Sequence, residues 1–212
     1  MKRVFISLKF PENIIEEIKK IQEKIEKENL FFGKFTEPKN LHLTLKFLGE
    51  IGDEKIEEVK ERLRTFSLSP PARPKDSFAK SLYSQPRSVI NKSNYSFAKS
   101  LAHPPEIELN SIGIFSENFI RILWIHLSNC EKLQKGVDES LTGLFEPEKR
   151  FMSHVTIARI KKVKDKKKLI EFLKEIKTKN LKFNADKFYL MKSRLSHDGP
   201  EYEVIEKFIL RR

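Results

Sequence analysis

At 212 residues the chain is long enough to bury one substantial core, in one domain or two intimate lobes. Its 39% apolar content, with 17 phenylalanines, excludes a disordered chain. The 42 Lys and Arg against 30 Asp and Glu leave a formal charge of +12, which favours an anionic partner, most simply a nucleic acid. A single cysteine, Cys130, excludes an internal disulfide and a multi-cysteine zinc site. The opening Met1-Lys2-Arg3-Val4-Phe5-Ile6 has neither the apolar run nor the cleavage site of a signal peptide. No segment is long and apolar enough to span a membrane, so a cytoplasmic location is expected.

In chain order, Val4 to Phe10 reads as a strand and Pro11 opens a helix with Ile14, Ile15, Ile18, Ile21 and Ile25 at three- and four-residue spacing. A second strand runs from about Asn40 to Leu48 and ends at Gly49. Asp53 is placed to cap the next helix, whose stripe is Ile56, Val59, Leu63 and Phe66. The stretch from about Pro70 to Pro105 breaks the pattern. It holds six of the ten prolines, six Lys or Arg against one Asp, and a repeated Ser-Phe-Ala-Lys-Ser-Leu at 77–82 and 96–101. It reads as a flexible surface insertion. Arg121 to Leu127 is a strand around Trp124, and a helix spans about Glu131 to Phe145. A further strand covers roughly Met152 to Ile160, and Asp165 caps a helix with Leu169, Phe172, Leu173 and Ile176. Strands at about Leu181 to Leu195 and Tyr202 to Leu210 close the chain around a turn at His197-Asp198-Gly199-Pro200.

Two of these strands carry the same tetrapeptide pattern, His42-Leu43-Thr44-Leu45 and His154-Val155-Thr156-Ile157. Side chains two apart on a strand share a face, so each strand offers one imidazole beside one hydroxyl. In the first strand Leu41, Leu43, Leu45 and Phe47 form the packing face, while His42, Thr44 and Lys46 share the polar one. Facing each other, two such strands supply two proton-transfer groups and two hydroxyl donors around one small anion, equipment for acid–base chemistry at a phosphate.

In each half of the chain a strand and a helix precede the motif strand and a helix follows it. The expected fold is α+β: a two-lobed, pseudo-twofold duplicated unit, with antiparallel sheets lining a central cleft and helices outside. Residues 1–212 form one such domain, interrupted by the insertion. Of the other histidines, His126 shares parity with Trp124 and reads as a core or groove-wall imidazole, His103 lies in the insertion, and His197 is a turn residue. No His, Cys, Asp and Glu cluster has metal-ligand spacing, and no glycine-rich phosphate loop is present.

The segments Asn40-Leu41-His42-Leu43-Thr44-Leu45-Lys46-Phe47-Leu48-Gly49 and Ser153-His154-Val155-Thr156-Ile157-Ala158-Arg159 resemble the paired motif of the 2H phosphoesterase superfamily. Within it the chain is most similar to the RNA 2′,3′-cyclic phosphodiesterases, also called 2′-5′ RNA ligases. The resemblance extends over most of the chain, Gly113 to Trp124 included. It implies that His42 is the proton donor and His154 the proton acceptor, that Thr44 and Thr156 bind phosphate oxygens, and that Arg159 assists beside the second motif. It also implies a two-lobed fold with an open cleft and no metal requirement; no other cofactor is expected and no obligate protein partner is evident from the sequence. The expected substrates are RNA ends carrying a 2′,3′-cyclic phosphate. Transfer RNA halves, other RNA fragments and small cyclic nucleotides all present that group. The alternatives are joining in the reverse direction through a 2′-5′ linkage, or an RNA-binding protein with a vestigial site. Arg159 lies an odd five residues after His154, so a flat strand would turn it away from the motif face. A bulge near Ala158 would bring it back.

Overall fold

The computed structural model describes residues 1–67, 104–196 and 199–210. Its elements are β1 (Lys2–Lys9), α1 (Glu12–Glu28), β2 (Phe31–Phe35), a 3₁₀ turn (Pro38–Asn40), β3 (His42–Ile51) and α2 (Asp53–Ser67). There follow β4 (Glu106–Ile114), β5 (Ile122–Ser128), α3 (Glu131–Ser140), β6 (His154–Val163), α4 (Lys166–Glu175), β7 (Lys182–Asn184), β8 (Lys187–Ser196) and β9 (Gly199–Ile209). The insertion expected at 70–105 lies, but for its last two residues, outside the described residues, as do His103 and His197.

All strands pair antiparallel, in the order β7-β4-β5-β6-β3-β1-β8-β9, with β2 alongside β6. The chain is thus α+β, with nine strands and four α-helices among the described residues. The expected pair of sheets is joined into one: β3 and β6 meet at the single register pair Leu43 and Val155. Outward from that junction each motif strand is flanked by the opening strand of its own half, β1 beside β3 and β5 beside β6. The run β1–α1–β3–α2 is matched by β5–α3–β6–α4, which is the pseudo-twofold order anticipated from sequence.

Periodicity explains the helices. Ile14, Ile18, Ile21 and Ile25 of α1 are buried, while Ile15 is half-buried at the edge of the stripe. Each fully buried side chain of this size contributes about 1.5–3 kcal/mol. Ile56, Val59 and Leu63 of α2, Leu133 and Val137 of α3, and Leu169 and Leu173 of α4 join Leu43, Leu45, Val155 and Ile157 of the motif strands in one core. The helices therefore cover one face of the sheet and leave the face with the motif polar groups open. Asp165 caps α4 as expected, its Oδ1 accepting from the Lys168 backbone N–H at 2.9 Å. Asp53 starts α2, but its carboxylate takes a bond from Lys2, which holds its pKa below the usual carboxylate value.

Two strands escape the periodicity reading. β2, Phe-Phe-Gly-Lys-Phe, has no alternation of apolar and polar residues, and β4 begins directly after the irregular segment. The expected strand 181–195 is broken into β7 and β8 at Ala185 and Asp186, where the Ala185 N–H turns to the Pro105 carbonyl at 2.9 Å. The helix expected to reach Phe145 ends at Ser140.

Candidate active site

The junction of β3 and β6 sets the geometry. Leu43 faces Val155 across antiparallel strands, so one step to either side places His42 opposite Thr156 and Thr44 opposite His154. The four side chains occupy the corners of a quadrilateral on the open face, with the two imidazoles on one diagonal. Such diagonal neighbours have backbones roughly 7–8 Å apart. All four residues line one cavity of about 870 Å³, together with Arg159. Every residue singled out from sequence as a candidate site residue is therefore at one place.

The two imidazoles are held alike. His42 Nδ1–H donates to the Asn40 carbonyl at 2.7 Å, and His154 Nδ1–H donates to the Met152 carbonyl at 2.8 Å. A carbonyl can only accept, so each Nδ1 carries the proton in the neutral ring and Nε2 is left with its lone pair. Burial lowers the pKa of His42 below its ordinary value; the bond to Asn40 opposes this, and the charges of His154, Lys9 and Arg159 add to the lowering. Burial also lowers the pKa of His154, opposed by the bond to Met152 and assisted by His126. Each ring is steadied by an aromatic edge: Tyr202 meets His42 at 4.9 Å and 78°, and Phe115 meets His154 at 5.1 Å and 89°. Burial raises the pKa of the Tyr202 phenol, opposed by the charges of Arg159 and Arg3.

A bulge resolves the position of Arg159. Trp124 pairs with Thr156 and Leu123 with Ala158, so Ile157 is an extra residue in β6. Ile157 and Ala158 are consecutively buried, parity flips, and Arg159 turns into the cavity. The same device operates in β3. Ser7 pairs with Thr44 and Ile6 with Lys46, leaving Leu45 extra. Here it corrects two expectations. Lys46 does not share the motif face: it is 4% exposed on the helix side, bonded to Asp138 Oδ1 of α3 at 2.5 Å and to the Glu146 carbonyl at 2.7 Å. Phe47, expected on the packing face, is 65% exposed and lines the cavity instead. Phe47 and Arg159 thus occupy corresponding places on the two strands.

Other wall residues carry no sequence signal of their own. Phe5, Tyr202 and Arg3 reach the cavity because β1 lies beside β3 and the β8–β9 hairpin folds over its edge. His126, expected as a core or groove-wall imidazole, pairs in register with His154 but is half-buried and does not line the cavity, so it lies neither in the core nor on the cavity wall. Among the described residues no group of three or more His, Cys, Asp or Glu is placed to hold a metal ion, and no helix is long and apolar enough to cross a membrane.

Comparison with known proteins gives the family and the fold. Residues 8–74 and 127–202 match the family described as LigT-like phosphoesterase. An RNA 2′,3′-cyclic phosphodiesterase of Methanocaldococcus jannaschii is 33% identical over 97% of this chain and 99% of its own length. Another, from Methanothermobacter thermautotrophicus, is 25% identical over 98% of each. The crystal structure of Thermus thermophilus TT0787 superposes with a TM-score of 0.67 at 22% identity, covering 99% of this chain and 98% of that one.

Proposed function

The chain belongs to the LigT-like phosphoesterase family, and from that premise we propose that it hydrolyses RNA 2′,3′-cyclic phosphate ends to 2′-phosphomonoesters by paired general acid and base catalysis. The observation that carries this reading is the diagonal pair of imidazoles, each with Nδ1–H tied to a carbonyl and Nε2 available in one cavity. The names of the relatives, RNA 2′,3′-cyclic phosphodiesterase, supply the substrate class.

The reaction needs a proton removed and a proton delivered at one phosphorus. His154 Nε2 takes a proton from the attacking water as its oxygen bonds to phosphorus. His42 Nε2–H gives a proton to the departing 3′-oxygen as the P–O3′ bond breaks. The opposed corners suit displacement with entering and leaving oxygens on opposite sides. Negative charge builds on the non-bridging oxygens, where the hydroxyls of Thr44 and Thr156 and the Arg159 guanidinium act as donors. His42 must enter the step protonated. The anionic phosphate assists, because its charge opposes the burial and the neighbouring cations that lower the His42 pKa in the free enzyme.

The test uses a short RNA ending in a 2′,3′-cyclic phosphate, with the product end identified by chromatography. A 2′-phosphate is expected from the wild type. His42→Ala and His154→Ala should each lower kcat by about 10²- to 10⁴-fold. Full activity in either variant would overturn the assignment of roles.

A further inference from the structure

Beyond the cavity, the open face of the sheet continues along β2 and β6, and its side chains change character. Lys34 lines the cavity and pairs in register with Arg159. Phe32, two residues earlier on the same face, is 56% exposed and pairs with Lys162. A second bulge in β6, with Lys161 as the extra residue, keeps Lys162 exposed. The Lys164 ammonium sits 4.3 Å from the centre of the Phe32 ring. Across β6, Arg121 donates to the Lys161 carbonyl at 2.8 Å and lies 4.3 Å over Phe119, itself 64% exposed. Neighbouring carboxylates are mostly engaged: Lys34 and Lys39 bridge Glu37, Lys168 bridges Glu28, and Asp165 caps α4, while Glu117 accompanies Phe119 in its loop.

Large exposed aromatic side chains are costly in water, and here Phe32 stands among cations on a strip that starts at the phosphate seat, with Phe119 exposed across β6. Alternating rings and cations are the means by which proteins hold single-stranded nucleic acid without reading its sequence: bases stack and phosphates pair. From Arg159 to Lys164 the strip runs roughly 17 Å at strand spacing. We infer that the β2–β6 strip, with Phe32, Lys162 and Lys164 at its centre, is a track for the single-stranded RNA that precedes the terminal cyclic phosphate. This rests on the proposed function and deepens it. The enzyme grips RNA strands regardless of sequence, with the cyclic mononucleotide as its minimal substrate.

Two substrates separate the track from the site: a cyclic mononucleotide and an octanucleotide with the same terminal group. The wild type is expected to have the higher kcat/KM on the octanucleotide. Phe32→Ala should lower that value about tenfold and leave the cyclic mononucleotide unchanged. Lys162→Ala with Lys164→Ala should flatten the salt dependence of octanucleotide binding by roughly 1.4 in log–log slope, for two phosphate contacts on a single strand. Variants that leave the octanucleotide unaffected, or that depress both substrates equally, would overturn the track. Should the wild type cleave neither substrate, the proposed function falls. Anisotropy binding of an unreactive octanucleotide then still decides the track, and equal affinity of wild type and double lysine variant would overturn it.

Discussion

Each site imidazole has one nitrogen committed and one free, and that division fixes how the site responds to pH. As the proposed base, His154 works only when neutral, so activity should fall as pH drops through its pKa. As the proposed acid, His42 works only when protonated, so activity should fall as pH rises through its pKa. Burial lowers both values in the free protein. The kcat/KM profile, which reports the free enzyme, should therefore peak on the acid side of about 6.5, the ordinary imidazole value. Arg159 contributes to the lowering at His42 but is not among the groups acting on His154. Arg159→Gln should shift the alkaline limb to higher pH and leave the acid limb in place, whatever it does to the maximum rate. A profile whose two limbs both stay in place would show that Arg159 acts only through binding.

The bulges are where strand periodicity stops predicting side-chain direction. Alternation from His42 to Leu45 and from His154 to Ile157 is legible because both stretches follow a plain pleat; the extra residues Leu45 and Ile157 then reverse it. The odd offset of Arg159 was a visible sign of that reversal, whereas Lys46 and Phe47 looked regular and turned out inverted. A bulge is chosen by the partner strand and the packing behind it, so one strand's residues cannot specify it. β2 was hidden for a related reason: it is held by its pairing with β6, which joins residues over a hundred positions apart. Gly33 makes that pairing possible. A methyl group there would lie 2.3 Å from the Arg159 backbone carbonyl oxygen, with no flexible side chain to give way. Gly33→Ala should therefore push β2 off β6, destabilise the fold by about 1–3 kcal/mol as overpacking does, and raise KM by displacing Arg159. Unchanged denaturant midpoint and KM would show that the strand absorbs the clash.

The two halves, so alike in element order, are joined by unlike means. Beside the Leu43–Val155 junction, the Gln22 amide of α1 donates at 2.9 Å to both the Thr36 and Ile157 carbonyls, tying the first half to β6. The Lys46–Asp138 pair ties β3 to α3, and Asp138 Oδ2 also accepts from Gln134 at 2.6 Å and from the Glu148 N–H at 2.9 Å. The duplicated order of elements was readable because each unit is local, a strand and helix recognisable by their own periods. The ties between units were not, because a buried lysine and an exposed one have the same spelling. Since these ties cross the centre of the molecule, both halves should unfold together. Trp124, the single tryptophan, sits in β5 and reports the second half, while far-ultraviolet circular dichroism reports all helices. Their thermal transitions should coincide, as two-state unfolding requires. Lys46→Met leaves Asp138 buried without its counter-charge, a loss of about 3–5 kcal/mol for a broken buried pair. Because the pair spans both halves, the variant should lower both transitions by the same amount. A Trp124 transition that stays at its original temperature while the dichroism transition falls would show two independent folding units, and the pseudo-twofold frame would then be a loose association of halves.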